Sequence, residues 1–236
     1  MSPCLAPRSA VGADGTFGRY RRVDGVALAY DAKVLRILTT LAVACYAANG
    51  ALKAIRHEMD FVGALAIAMV TAVGGGTARD LLLGRPVFWI HDPLFLYVSG
   101  VTAVAAVAAT AFARPGPQLL LVTDTIGLAL FAVIGAHAAN AAGAPLVSTV
   151  LTGGLTGFGG GIARDLLCGE VPRVLKRDIH ATAAISGATV YVLIQRGGGS
   201  VASGLGAGIF TVVLLRTIET RWGIHFRFLR MPSRDA

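Results

Sequence analysis

Charge is what this sequence lacks most. Only 14% of its 236 residues are Asp, Glu, Lys or Arg, against about 25% in an ordinary soluble domain. A soluble chain of this size needs polar outer faces on its helices, and most of the apolar runs here are apolar all round. Cysteine is nearly absent: Cys4, Cys45 and Cys168 have no metal-ligand spacing and offer no disulfide framework. No Lys-Ser/Thr follows the glycine-rich stretches, which excludes a phosphate-binding P-loop. There is also no nucleophile elbow and no zinc spacing, so no enzyme activity, catalytic residue, bound metal or cofactor is expected. The net charge of +8 comes without a basic stretch interleaved with stacking aromatics, so nucleic acid is not an expected partner.

Hydrophobic residues make up 55% of the chain, and the mean hydropathy is +0.68. They fall into seven runs, at about 34–54, 61–83, 94–113, 118–138, 146–167, 178–195 and 200–217. Each approaches the ~20 residues that a helix rising 1.5 Å per residue needs to cross a bilayer. Lipid leaves no partner for an open strand edge, so the expected fold is an all-α integral membrane protein of seven helices. Residues 1–32 are polar and basic and read as a disordered tail, and 221–236 form a basic C-terminal tail. Lys and Arg concentrate after the first, third and fifth runs and at the C-terminus. That bias predicts a cytoplasmic C-terminus and an external N-terminus.

The most specific feature is a self-match at an offset of 85 residues. Gly74-Gly75-Gly76-Thr77-Ala78-Arg79-Asp80-Leu81-Leu82-Leu83-Gly84 aligns with Gly159-Gly160-Gly161-Ile162-Ala163-Arg164-Asp165-Leu166-Leu167-Cys168-Gly169. The register extends back to Gly50-Ala51 and Gly135-Ala136. The organisation that follows is a first repeat over 33–113 and a second over 114–196, with an accessory seventh helix over 197–220. Three runs separate equivalent points, and each crossing reverses direction. The second repeat is therefore expected to be inverted, an arrangement typical of solute and ion pathways with the site at the repeat interface.

Three successive glycines weaken a helix by roughly 1 kcal/mol each relative to alanine and allow backbones to approach closely. A kink or unwound turn at Gly74, Gly75 and Gly76 and at Gly159, Gly160 and Gly161 is the expectation, with tight packing on an unbroken helix as the alternative. Arg79-Asp80 and Arg164-Asp165 follow at once. Inverted symmetry predicts cross-pairing of Arg79 with Asp165 and of Arg164 with Asp80. Those pairs read either as structural bridges or as a charged constriction, and the two are compatible. Asp124, whose repeat partner is Thr39, fits either a pathway-lining acid or an interfacial residue near a helix start, the latter slightly better. His91, His137 and His180 read as interfacial or packing residues.

The doubled Gly-Gly-Gly-x-x-Arg-Asp-Leu-Leu motif, Gly84-Arg85-Pro86-Val87-Phe88-Trp89-Ile90, Gly169-Glu170-Val171-Pro172 and Asp124-Thr125-Ile126-Gly127 resemble the prokaryotic branch of the trimeric intracellular cation channel family. The resemblance runs from about residue 34 to 217. It implies two inverted three-helix units plus one helix, and a homotrimer in the prokaryotic cytoplasmic membrane with a pore in each protomer. Its permeant ions would be monovalent cations, chiefly K⁺ with Na⁺, and membrane lipids its surroundings. Glycine triplets 74–76 and 159–161 would mark kinks beside the pore. The Lys-Glu-Val segment of animal members, linked to phosphoinositide lipid, is absent here. Uptake of small amino acids such as glycine, associated with some bacterial relatives, keeps a secondary transporter as the alternative, with a non-transport scaffold as a third reading.

Overall fold

In the computed structural model, the described residues are 25–112, 116–176 and 178–222, and every regular element among them is helical. In chain order they are α1 (Gly25–Arg56), α2 (Phe61–Leu82), α3 (Phe88–His91), α4 (Leu94–Phe112), α5 (Pro117–Ala141), α6 (Leu146–Leu167), α7 (Arg173–Lys176), α8 (Asp178–Arg196) and α9 (Val201–Trp222). Six of these helices are long and apolar enough to cross a membrane: Lys33–Arg56 of α1, α2, α4, α5, α6 and Val201–Arg221 of α9. α8 has 19 residues, about 28 Å at 1.5 Å per residue.

The long helices start and stop where local chemistry dictates. The Asp60 carboxylate accepts a hydrogen bond from Gly63 N at 2.7 Å and caps α2. Pro117 opens α5, at a position where a missing N–H costs nothing. α2 and α6 end identically. Gly84 (φ 61°) and Gly169 (φ 71°) adopt the left-handed conformation that glycine alone takes without strain. Around them, Gly84 N donates to Leu81 O and Arg85 N to Asp80 O, while Gly169 N donates to Leu166 O and Glu170 N to Asp165 O. This is a Schellman ending in both copies, and it explains why the repeated motif closes on glycine.

Two expectations are corrected here. α1 begins at Gly25, so residues 25–32 continue the first helix rather than belonging wholly to a disordered tail. Residues 1–24 and 223–236, the rest of the two expected tails, lie outside the described residues. The glycine triplets, moreover, do not unwind their helices: α2 and α6 are helical throughout 74–76 and 159–161. The helices keep their ladders because the glycines serve contact instead. A Cβ on Gly75 would strike the carbonyl oxygen of Thr156, and one on Gly160 would strike that of Thr71. Two helix backbones touch there without intervening side chains, the small-residue packing that lipid-embedded helices favour.

The helices of the two repeats pack in matching sets. α1 packs on α2 and α4, and α2 on α4; in the same way α5 packs on α6 and α8, and α6 on α8. The two sets join where α2 meets α6 and α1 meets α5. Tyr46 and its repeat partner Phe131 stack against each other across that junction, with ring centroids 5.4 Å apart. Gly50 lies against Thr71 as Gly135 lies against Thr156. α9 packs on α8 and α5.

Candidate functional site

The α2–α6 crossing sets the geometry of everything polar in the membrane interior. Thr71 meets Gly160 and Gly75 meets Thr156, so the two helices cross in opposite directions. Arg79 and Arg164 each lie six residues past the centre of that crossing, one towards each end. About 18 Å of helix rise therefore separates them. This is why the expected cross-pairs do not form. Instead each arginine binds its own neighbour: Arg79 Nε and Nη2 reach Asp80 Oδ1 at 2.8 Å, and Arg164 Nε and Nη2 reach Asp165 Oδ1 at 2.9 and 2.8 Å. Consecutive residues do not normally face each other on a helix, but the long guanidinium folds across. The second carboxylate oxygen of each aspartate turns to the next short helix. Asp80 Oδ2 accepts from Phe88 N, and Asp165 Oδ2 accepts from Arg173 N, both at 2.9 Å. The Arg-Asp pair thus locks the turn that follows each Schellman ending.

Beyond this shared frame the two ends differ. At the end reached by α6, Arg164 is 1% exposed and Nη1 donates to Asp124 Oδ1 at 3.0 Å and also to Asn49 Oδ1. Asn49 Nδ2 is itself held by Leu120 O and Thr123 Oγ1 at 2.7 and 2.9 Å. Lys53 Nζ bridges Asp165 Oδ1 at 2.6 Å and Glu170 Oε2 at 2.9 Å, and His57 Nε2 lies 2.8 Å from Glu170 Oε1. The hydrogen bond from Lys53 is the chief reason that the Glu170 carboxyl sits below its ordinary pKa. Asp124 Oδ2 faces Arg216 Nη2 at 3.4 Å, His180 Nδ1 at 3.8 Å and Arg173 Nη1 at 3.9 Å. Arg216 Nη1 binds Glu219 Oε2 at 2.5 Å. Four cations (Lys53, Arg164, Arg173, Arg216) meet four carboxylates (Asp124, Asp165, Glu170, Glu219), so the cluster neutralises itself.

At the end reached by α2, a cavity of about 230 Å³ stands in the equivalent place. Arg79 lines it, with Leu35, Thr39, Ile134 and Ala138. Thr39 is the repeat partner of Asp124, Ile134 of Asn49, and Ala138 of Lys53. The side chains that fill one end are thus missing at the other. Arg85 and His137 also line this cavity, and Arg79 lies 5.5 Å from the Phe88 ring centroid, a cation–π contact.

The structure therefore brings Asp124, Arg164 and Asp165 together, and holds Arg79 and Asp80 apart from them. Asp124 is a buried member of the cluster rather than the interfacial residue that its position slightly favoured, and His180 is buried beside it, the packing alternative of its two readings. Lys53, Asn49, Arg216 and Glu219 were not anticipated. The signal for Lys53 and Arg216 was present: an ionisable residue in an otherwise apolar run is a functional candidate by default. Cys45 and Cys168 are free, and no group of His, Cys, Asp or Glu among the described residues could hold a metal ion.

Comparison with known proteins places this geometry in a family. The family model described as glycine transporter matches twice, at residues 36–111 and 121–196, which is the same 85-residue spacing as the repeated motif. The chain is 39% identical over 203 residues to the inner membrane protein YadS of Escherichia coli K12, covering 83% of this chain and 94% of that protein. It is 38% identical over 196 residues to a UPF0126 membrane protein of Vibrio cholerae, covering 82% of each. Among solved structures, the trimeric intracellular cation channel orthologue from Rhodobacter sphaeroides superposes with a TM-score of 0.78 at 39% identity, over 81% of this chain and all of that one. The chain is accordingly a multi-pass membrane protein belonging to the prokaryotic branch of the trimeric intracellular cation channel family.

Proposed function

We propose that the chain is a potassium-permeable channel for monovalent cations, with one pathway in each protomer of a homotrimer. The pathway runs between two inverted three-helix repeats, α1–α2–α4 and α5–α6–α8, with α8 as the seventh spanning helix and α9 outside the duplication. The antiparallel crossing of α2 and α6 supports the inversion, as do the matching helix contacts of the two repeats. One observation carries the reading: the two ends of that crossing differ, with a cavity beside Arg79 and a cluster of neutralised side chains beside Arg164. Membership of the family, and the cation channel orthologue among its structures, point the same way. The bias of Lys and Arg places the C-terminus and the Arg164 end on the cytoplasmic side and the cavity outside.

Purified full-length protein in planar bilayers tests the proposal. Unitary currents carried by K⁺ and not by choline are expected; silence from verified folded trimers contradicts the channel. A second reading, secondary transport of a small amino acid, is favoured by the description of the matching family model. Saturable glycine uptake into liposomes, without unitary currents, would decide for it.

A further inference from the structure

The repeat contains an internal picture of a ligand. Arg164 takes two carboxylates: Asp165 on Nε and Nη2, and Asp124 on Nη1 at 3.0 Å. Arg79 makes the first of these contacts through Asp80, again with Nε and Nη2. Among the described residues its Nη1 has no acceptor, and the place of Asp124 is taken by Thr39, whose side chain ends short of a carboxylate. That space is the cavity of about 230 Å³, several times the ~30 Å³ share of one water. The Thr39 hydroxyl donates to Leu35 O at 2.7 Å, so its remaining capacity towards the cavity is as an acceptor. Arg85 lines the same cavity with no ion-pair partner among the described residues, at the position where the other repeat carries the acid Glu170. The cavity lining holds two arginines and no carboxylate.

We infer that this cavity is a binding site for the carboxylate group of a small solute, which occupies at Arg79 Nη1 the place that the Asp124 carboxylate occupies at Arg164 Nη1. Arg79 clamps the ligand from within the fold, and Arg85 at the mouth supplies the balancing charge. The guanidinium tolerates a second acid beside Asp80 because Arg164 already holds two. The size limit is set by Phe88 and Ile134, which wall the cavity with apolar surface. The cavity is also the open end of the proposed pathway, but binding there is read without a current or a transport cycle, so its failure and the failure of the channel reading are separate results.

Isothermal titration calorimetry on full-length protein in lipid nanodiscs tests it, with acetate, glycine, methylammonium and chloride as separate probes. Saturable binding of acetate or glycine is expected, with none of methylammonium. Equal binding of acetate and glycine assigns recognition to the carboxylate alone, and glycine without acetate assigns it to an amino acid. Arg79→Gln should weaken binding at least roughly tenfold, the loss of one charge-assisted contact. Because that variant leaves Asp80 buried without its cation, Thr39→Asp provides the decisive control. It supplies the missing carboxylate from within the chain, as Asp124 does in the other repeat, and should abolish binding while the thermal midpoint is kept or raised. Absence of saturable binding by the wild type, binding of chloride but of neither carboxylate, or unchanged binding in a folded Thr39→Asp variant overturns the site.

Discussion

Two adjacent glycines in α2 should respond oppositely to the same substitution. Gly74 and Gly75 sit in one continuous helix, so replacing either with alanine brings the same gain in helix propensity, about 1 kcal/mol. Their surroundings differ. A Cβ on Gly74 meets Gly160 Cα at 3.6 Å, an ordinary contact, whereas one on Gly75 is driven into the backbone carbonyl of Thr156. That carbonyl belongs to a helix and has no rotamer to change, so α2 and α6 must move apart. Overpacking of this kind costs typically 1–3 kcal/mol. The propensity gain cancels between the two variants, and Gly75→Ala should be less stable than Gly74→Ala by about 1–3 kcal/mol. Gly160→Ala, against the Thr71 carbonyl, should match Gly75→Ala. Gly100→Ala, where the added carbon meets nothing within 4 Å, gives the propensity term alone. Reversible unfolding in mixed micelles, followed by tryptophan fluorescence, measures all four. If Gly74→Ala and Gly75→Ala shift stability equally, the glycines do not act through backbone contact, and helix weakening is the better explanation.

Two further outcomes concern the neutralised cluster. Asp124→Asn removes one carboxylate from between Arg164 and Arg216, and unmaking a buried ion pair costs about 3–5 kcal/mol. The lower end is expected because Arg164 keeps Asp165 and Arg216 keeps Glu219; an effect within about 0.5 kcal/mol would contradict the cluster's role. Glu170, outside the spanning helices, has its pKa lowered chiefly by the hydrogen bond from Lys53. A depressed folded pKa means that its stabilisation is complete above the unfolded value of about 4.3 and is lost as pH falls through the folded one. The thermal midpoint should therefore drop on acidification below about pH 4.5 by less in Glu170→Gln than in the wild type; identical pH profiles would show that the bridge contributes nothing.

The helices were legible because lipid leaves the chain few choices. The seven apolar runs coincide with α1, α2, α4, α5, α6, α8 and α9, and for the six of these that are long and apolar enough to cross a membrane, a helix satisfies the backbone within the segment. The duplication was legible because Arg-Asp-Leu-Leu cannot recur in phase by composition alone, and the family model recovers the same offset. The pairing of the charges was not. The sequence supplies two arginines and two aspartates, but which meet depends on how far each lies from the helix crossing, and the crossing is fixed by Thr71, Gly75, Thr156 and Gly160 together. The glycine triplets misled for a related reason. Propensity counts the weakness that they bring to one helix, while their value lies in the second helix that they admit. Arg216 and Glu219 lay in the helix outside the repeat, where symmetry gave no reason to look.

The positions that the two repeats share and those on which they differ divide by task. Gly50/Gly135, Thr71/Thr156, Gly75/Gly160, Arg79/Arg164 and Asp80/Asp165 are identical, and each holds backbone against backbone or closes a helix end. Thr39/Asp124, Asn49/Ile134, Lys53/Ala138 and Arg85/Glu170 differ, and each points into the space beyond its arginine. Duplication thus kept the frame and respecified its two mouths. The division also bears on how the proposed pathway would open at the Arg164 end. Parting α2 from α6 breaks apposed backbones that both repeats require. Swinging Lys53 or Arg216 away from its acids leaves that crossing untouched, because neither side chain takes part in it. If the proposed pathway opens at this end, side-chain rearrangement at Asp124 and Asp165 leaves the glycine crossing intact, whereas parting the helices does not.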